Sequence, residues 1–95
     1  MNKKELASHL EHTLLKPNAV ISDSVLEKEI RFVAENGISN IVLPPFYVEA
    51  AVNVAKKLNL DVTVCAVIGF PLGYCTKRTK VFEMKEAIKF AYPNY

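Results

Sequence analysis

The chain has 95 residues, 51% hydrophobic and 23% charged with only three glycines, a composition that excludes a disordered, collagen-like or disulfide-dense class. Twelve basic residues against ten acidic ones leave a net charge of +2, too mild and too evenly spread to imply a nucleic-acid partner. No run approaches the roughly 20 apolar residues of a membrane span, and the polar start MNKKELASHLEHT holds no signal-peptide core, so a cytoplasmic protein with no membrane association is expected.

Residues Lys3 to His9 read as a short helix, and His12 to Lys16 as a short strand ended by Pro17. The segment SDSVLEKEIRFVAENG opens on cap-forming Ser22, Asp23 and Ser24. It places Leu26, Ile30 and Val33 on one helical face and stops at Asn36-Gly37. In SNIVLPP, the continuous run Ile41-Val42-Leu43 is a strand buried on both faces, ended by Pro44 and Pro45, which suit the first turn of the next helix. That helix carries Val48, Ala51, Val52 and Ala55 at helical spacing, with Lys56 and Lys57 near its C-terminus.

DVTVCAVIGF supplies a third strand, apolar from Val64 to Ile68 and expected to be buried. TKRTKVFEMKEAIKFA supplies a third long helix, capped by Thr76, whose stripe is Val81, Met84, Ile88 and Ala91. The β-α-β-α-β-α order with short connections predicts parallel strands joined by right-handed crossovers. Three such strands leave two open edges and incomplete helical cover, the beginning of something longer. A doubly wound fold needs about five strands, and a (βα)8 barrel eight in about 250 residues.

Four segments, in order, resemble deoxyribose-phosphate aldolase, a class I enzyme: LEHTLLKP (Leu10 to Pro17), ENGISNIVLPPFYV (Glu35 to Val48), VTVCAVIGFPLG (Val62 to Gly73) and KVFEMKEAI (Lys80 to Ile88). The combination of HTLLKP with VCAVIGFPLG and a following K-x-x-E, here Lys80 and Glu83, is specific. The resemblance implies an α/β chain, a partial (βα)8 TIM barrel of about three βα units preceded by a short helix, with residues 1–95 forming one domain. It implies a lysine that forms a Schiff base with acetaldehyde, whose enamine adds to glyceraldehyde 3-phosphate, in deoxyribonucleotide catabolism. It implies no cofactor, a phosphorylated sugar as substrate, and a homo-oligomer or an association with a missing barrel half.

In the family the Schiff-base lysine, its lysine neighbour, the proton-relay aspartate and the phosphate site all follow the third βα unit. Every lysine from Lys28 onward falls in a helical segment, away from any buried strand that would desolvate an amine. No catalytic residue is therefore expected, and the chain alone is expected to be a truncated, inactive product. The alternatives are a split-enzyme subunit that docks with the remaining strands, or a non-catalytic half-barrel that self-associates through its edges.

Three positions are substrate-proximal by resemblance: Glu11 in place of the family's Asp before HT, Thr13, and Val42 where many members have Cys. Glu11 and Thr13 are read either as a pair that orients substrate hydroxyls or as a helix-to-strand junction held by local hydrogen bonds. Pro44 replaces the family's usual Asn, and the loss of both polar groups points to relaxed constraint.

Other chemistry is weakly signalled. His9 and His12 lack a third ligand, so no metal site is expected. Gly69 and Gly73 lack P-loop spacing. Lys77, Arg78 and Lys80 read as a solvated helix face rather than a phosphate site. Cys65 reads as an inert core residue, and Cys75, beside a helix start and basic neighbours, as a mildly reactive thiol.

Overall fold

Three parallel strands, paired in the order of the chain, carry helices on one face. The computed structural model describes residues 2–15 and 21–91. A short helix α1 (Lys3–Ser8) leads into strand β1 (Glu11–Thr13), followed by α2 (Asp23–Glu35), β2 (Asn40–Leu43), a 3-10 turn (Pro45–Tyr47), α3 (Val48–Lys57), β3 (Thr63–Ala66) and α4 (Lys77–Ala91). The architecture is α/β, and β2 lies between β1 and β3.

The expected caps are in place. Ser22 Oγ accepts the Val25 N–H of α2. At the other end Gly37, at φ +70°, lets its own N–H reach the Ala34 carbonyl and the Ile38 N–H reach Val33, a Schellman termination. The same motif ends α3, with Asn59 at φ 52° in the left-handed position. Asparagine tolerates that conformation better than most residues, so the helix stops there without glycine.

Leu26, Ile30 and Val33 of α2 are fully buried and meet Ile41, Leu43 and Ala51 in one core. This confirms the helical stripe and the central strand. Val48, Ala51 and Ala55 are the buried positions of α3, and Val52 is only partly covered.

Four expectations need adjustment. β1 begins a residue earlier than read and ends at Thr13, although the Leu14 N–H still reaches the Val42 carbonyl at 3.0 Å. Lys16 and Pro17, read as its end, lie outside the described residues. The proline-led first turn of the second long helix is a separate 3-10 turn, closed by the Tyr47 N–H on the Pro44 carbonyl. β3 is half-exposed rather than buried, because it is an edge strand.

The fourth concerns α4. Val81, Met84 and Ile88 remain 40–49% exposed, and Ala87 is the buried residue of the helix. The stripe has the right period, but no element among the described residues covers it.

Candidate active-site face

In a parallel sheet, residues paired across strands project from the same face, and neighbours along a strand from opposite faces. His12, Ile41 and Val64 form one row. That row faces the helices: His12 Nε2 is 2.8 Å from Glu29 Oε2 of α2 and its ring lies 5.3 Å from that of Phe32, while Ile41 belongs to the core. His12 is thus tied to α2, and His9 merely caps α1. Among the described residues no group of three His, Cys, Asp or Glu is placed to hold a metal.

The flanking rows, Glu11-Asn40-Thr63 and Thr13-Val42-Cys65, therefore project to the face opposite α2 and α3, which pack on the strands among the described residues. The three residues singled out from the sequence come together here. Glu11 and Thr13 are exposed, and Val42, 8% exposed, lies beside Thr13 in the central strand. Glu11 opens β1 directly after the connection from α1 and pairs with Asn40.

Cys65 corrects its own reading. It is half-buried on this same face, paired with Val42, rather than within the core. Its sequence gave no sign of this, because V-C-A-V is apolar on both sides; only the register aligns it with Thr13. Burial, and then the nearby Glu11 carboxylate, push the thiol above its ordinary value of 9.0.

Two consequences follow from that shift. As pH rises past about 9 the unfolded thiol ionises first, so Cys65 lowers stability only in alkaline solution. In a Cys75→Ser background Cys65 should alkylate more slowly than a free thiol at the same pH, and Glu11→Gln should speed it up. An unchanged rate in Glu11→Gln would remove Glu11 from the surroundings of Cys65.

The loop after β3 stands at the end of the sheet where Thr13 and Leu43 also lie. The Val67 N–H continues the ladder to the Leu43 carbonyl, after which the chain turns through Gly69 (φ +67°), a cis Phe70-Pro71 bond and Gly73 (φ +69°). The Gly73 N–H returns to the Gly69 carbonyl at 2.6 Å, and the Gly69 N–H donates to Glu83 Oε1 of α4 at 2.7 Å. The glutamate of the K-x-x-E motif is thus the anchor of the loop. A Cβ at Gly69 would sit 3.5 Å from both Cys75 Sγ and Lys80 Cε. The loop encloses a shallow cavity of about 390 Å³ bordered by Leu72, Tyr74, Thr79 and Glu83. Cys75 packs inside this turn and is half-buried.

Every described lysine lies on a helix, so among the described residues the bare face carries none. Thr76 Oγ1 accepts the Thr79 N–H at 3.3 Å to cap α4, while Lys77 and Arg78 point to solvent-exposed surface.

No protein-family model matches the chain. Curated proteins do: it is 44% identical over 88 residues to the deoxyribose-phosphate aldolase of Clostridium kluyveri, and 45% identical over 84 residues to that of a Thermoanaerobacter strain. Its relatives are deoxyribose-phosphate aldolases. These alignments take in 93% and 88% of this chain but 38% and 36% of the relatives, and the resemblance is to their N-terminal portion. Among solved structures, a tetrameric deoxyribose phosphate aldolase from Aeropyrum pernix superposes with a TM-score of 0.79 at 30% identity, over 94% of this chain and 36% of that one. The three βα units correspond to part of an aldolase TIM barrel.

Proposed function

We propose that the chain supplies the first three βα units of a deoxyribose-phosphate aldolase barrel. The observation that carries this reading is the two-sided sheet: helices cover the row His12-Ile41-Val64, while the rows holding Glu11, Thr13, Val42 and Cys65 are bare. In a closed barrel the bare side is the interior, and the strand ends carrying Thr13 and the loop after β3 form the catalytic rim.

Glu11 and Thr13 then bind and orient hydroxyls of a phosphorylated sugar, and Val42 with Cys65 gives the wall beside them. The reaction is the reversible cleavage of 2-deoxyribose 5-phosphate into glyceraldehyde 3-phosphate and acetaldehyde, in cytoplasmic deoxyribonucleotide catabolism. The helical lysines leave the Schiff base to strands outside this chain, so the 95 residues alone are inactive and residues 1–95 act as one domain of a larger barrel. The half-exposed stripe of α4 and the open edge of β3 favour docking with further barrel units, as in a split aldolase.

The test is borohydride reduction in the presence of acetaldehyde, followed by peptide mapping. On this chain alone, ethylation is expected to be slow and spread over the surface lysines, as in the urea-unfolded chain. Mixing with the remaining five βα units of the Clostridium kluyveri relative is expected to give cleavage activity. Rapid, stoichiometric trapping on one lysine of this chain would sink the reading.

A further inference from the structure

Two surface patches of opposite charge remain outside the sheet face and the loop after β3. Between α2 and α3 runs a groove of about 470 Å³, lined by Asp23, Glu27 and Glu49 around Phe46, with Lys57 as the one cation among the described residues lining it. Phe46 is 79% exposed. On α4, Lys77, Arg78 and Lys85 surround Phe82 and Val81 with no acidic residue among them, and Phe82 is 63% exposed. At about 100° per residue, Arg78, Phe82 and Lys85 fall on the side of α4 roughly opposite buried Ala87. They lie away from the side of α4 that packs against α3 and the 3-10 turn.

Neither patch is satisfied within the chain. Among the described residues the ion pairs are His12 with Glu29 and Arg31 with Glu27; the latter takes one groove carboxylate from outside, and the three α4 cations have none. Each patch sets an exposed phenylalanine among three charges of one sign, acidic in the groove, where Lys57 also lies, and basic on α4. Like charges crowded on one surface repel each other, and each patch matches the other.

We propose that the α4 patch of one copy docks in the α2/α3 groove of a second copy. Phe82 enters beside Phe46, where an aromatic pair adds an apolar anchor, and Lys77, Arg78 and Lys85 face Asp23, Glu27 and Glu49. The two surfaces differ, so the contact is head-to-tail and propagates into rings or short chains rather than closing as a two-fold dimer. The contact uses neither the bare sheet face nor the loop after β3 and shares only Val81 with the half-exposed stripe of α4, so its test is separate from that of the aldolase reading.

Sedimentation velocity on the 95-residue chain tests this. At low salt the average mass should rise with concentration to roughly twice the monomer value or more, and fall back at about 0.5 M salt, where the screening length is only a few ångströms. Two charge-reversed variants separate this contact from others. Lys77→Glu/Arg78→Glu/Lys85→Glu and Asp23→Lys/Glu27→Lys/Glu49→Lys should each be monomeric alone, and circular dichroism should show both folded, since they alter surface positions. Mixed in equal amounts they should associate again, because each pairing of groove and patch across the mixture joins opposite signs. A wild-type chain that stays monomeric at low salt, variants that assemble like wild type, or a mixture that fails to associate would each overturn the proposal.

Discussion

Ile41→Ala is expected to remove much of the chain's stability. Ile41 is fully buried at the centre of the middle strand, where it meets the α2 residues Leu26, Ile30 and Val33. Truncating such a side chain removes its transfer free energy and leaves a cavity, at a cost of roughly 2–5 kcal/mol. Small domains have only about 5–15 kcal/mol in total, and this sheet, with two open edges and one bare face, belongs at the low end of that range. Urea denaturation followed by circular dichroism measures the effect. Met84→Ala, on the half-exposed stripe of α4, is the control and should change stability by no more than about 0.5 kcal/mol. Equal effects at the two positions would mean that the core does not lie between α2, α3 and the sheet.

Glu83→Ala should release the loop after β3. A carboxylate accepting a backbone N–H at 2.7 Å is a charge-assisted bond, and in a half-buried setting its loss costs about 1–2 kcal/mol. The loop's other internal tie is the Gly73 N–H on the Gly69 carbonyl, so little else holds the segment to α4. Hydrogen exchange at the Gly69 amide should accelerate by roughly tenfold, the kinetic equivalent of that loss. Glu83→Gln retains an acceptor oxygen at the same reach and should keep most of the protection. If both variants exchange as wild type does, Glu83 is not the anchor.

The sequence-legible parts are those set by residues close together along the chain. Ser22, the Leu26-Ile30-Val33 spacing and Gly37 define α2 from within, and the structure places that helix within a residue of the expected limits. The proline pair and the apolar run before it do the same for β2. The less legible features depend on partners far apart. The contact of His12 with Glu29 depends on β1 lying against α2, which neither segment's own pattern signals. Cys65 reads as core until the register sets it beside Val42. The Val81-Met84-Ile88 stripe has the period of a packed helix, but period reveals a face and not its occupant.

The site residues divide in the same way. Glu11, Thr13 and Val42 are marked in the sequence only by the family resemblance, and alternation along parallel strands explains why all three share a face. Glu83 was visible only as part of a motif; its task of holding Gly69 required the backbone of a loop 14 residues away.

The strand order β1-β2-β3 repeats the order of synthesis. Each new strand adds beside the one made just before it, after a crossover of about 20–30 residues, so no early segment waits for a distant partner. A ribosome releasing this chain would therefore lay the sheet down from one edge, one βα unit at a time. The edge left open at any moment is the one that the next unit would take.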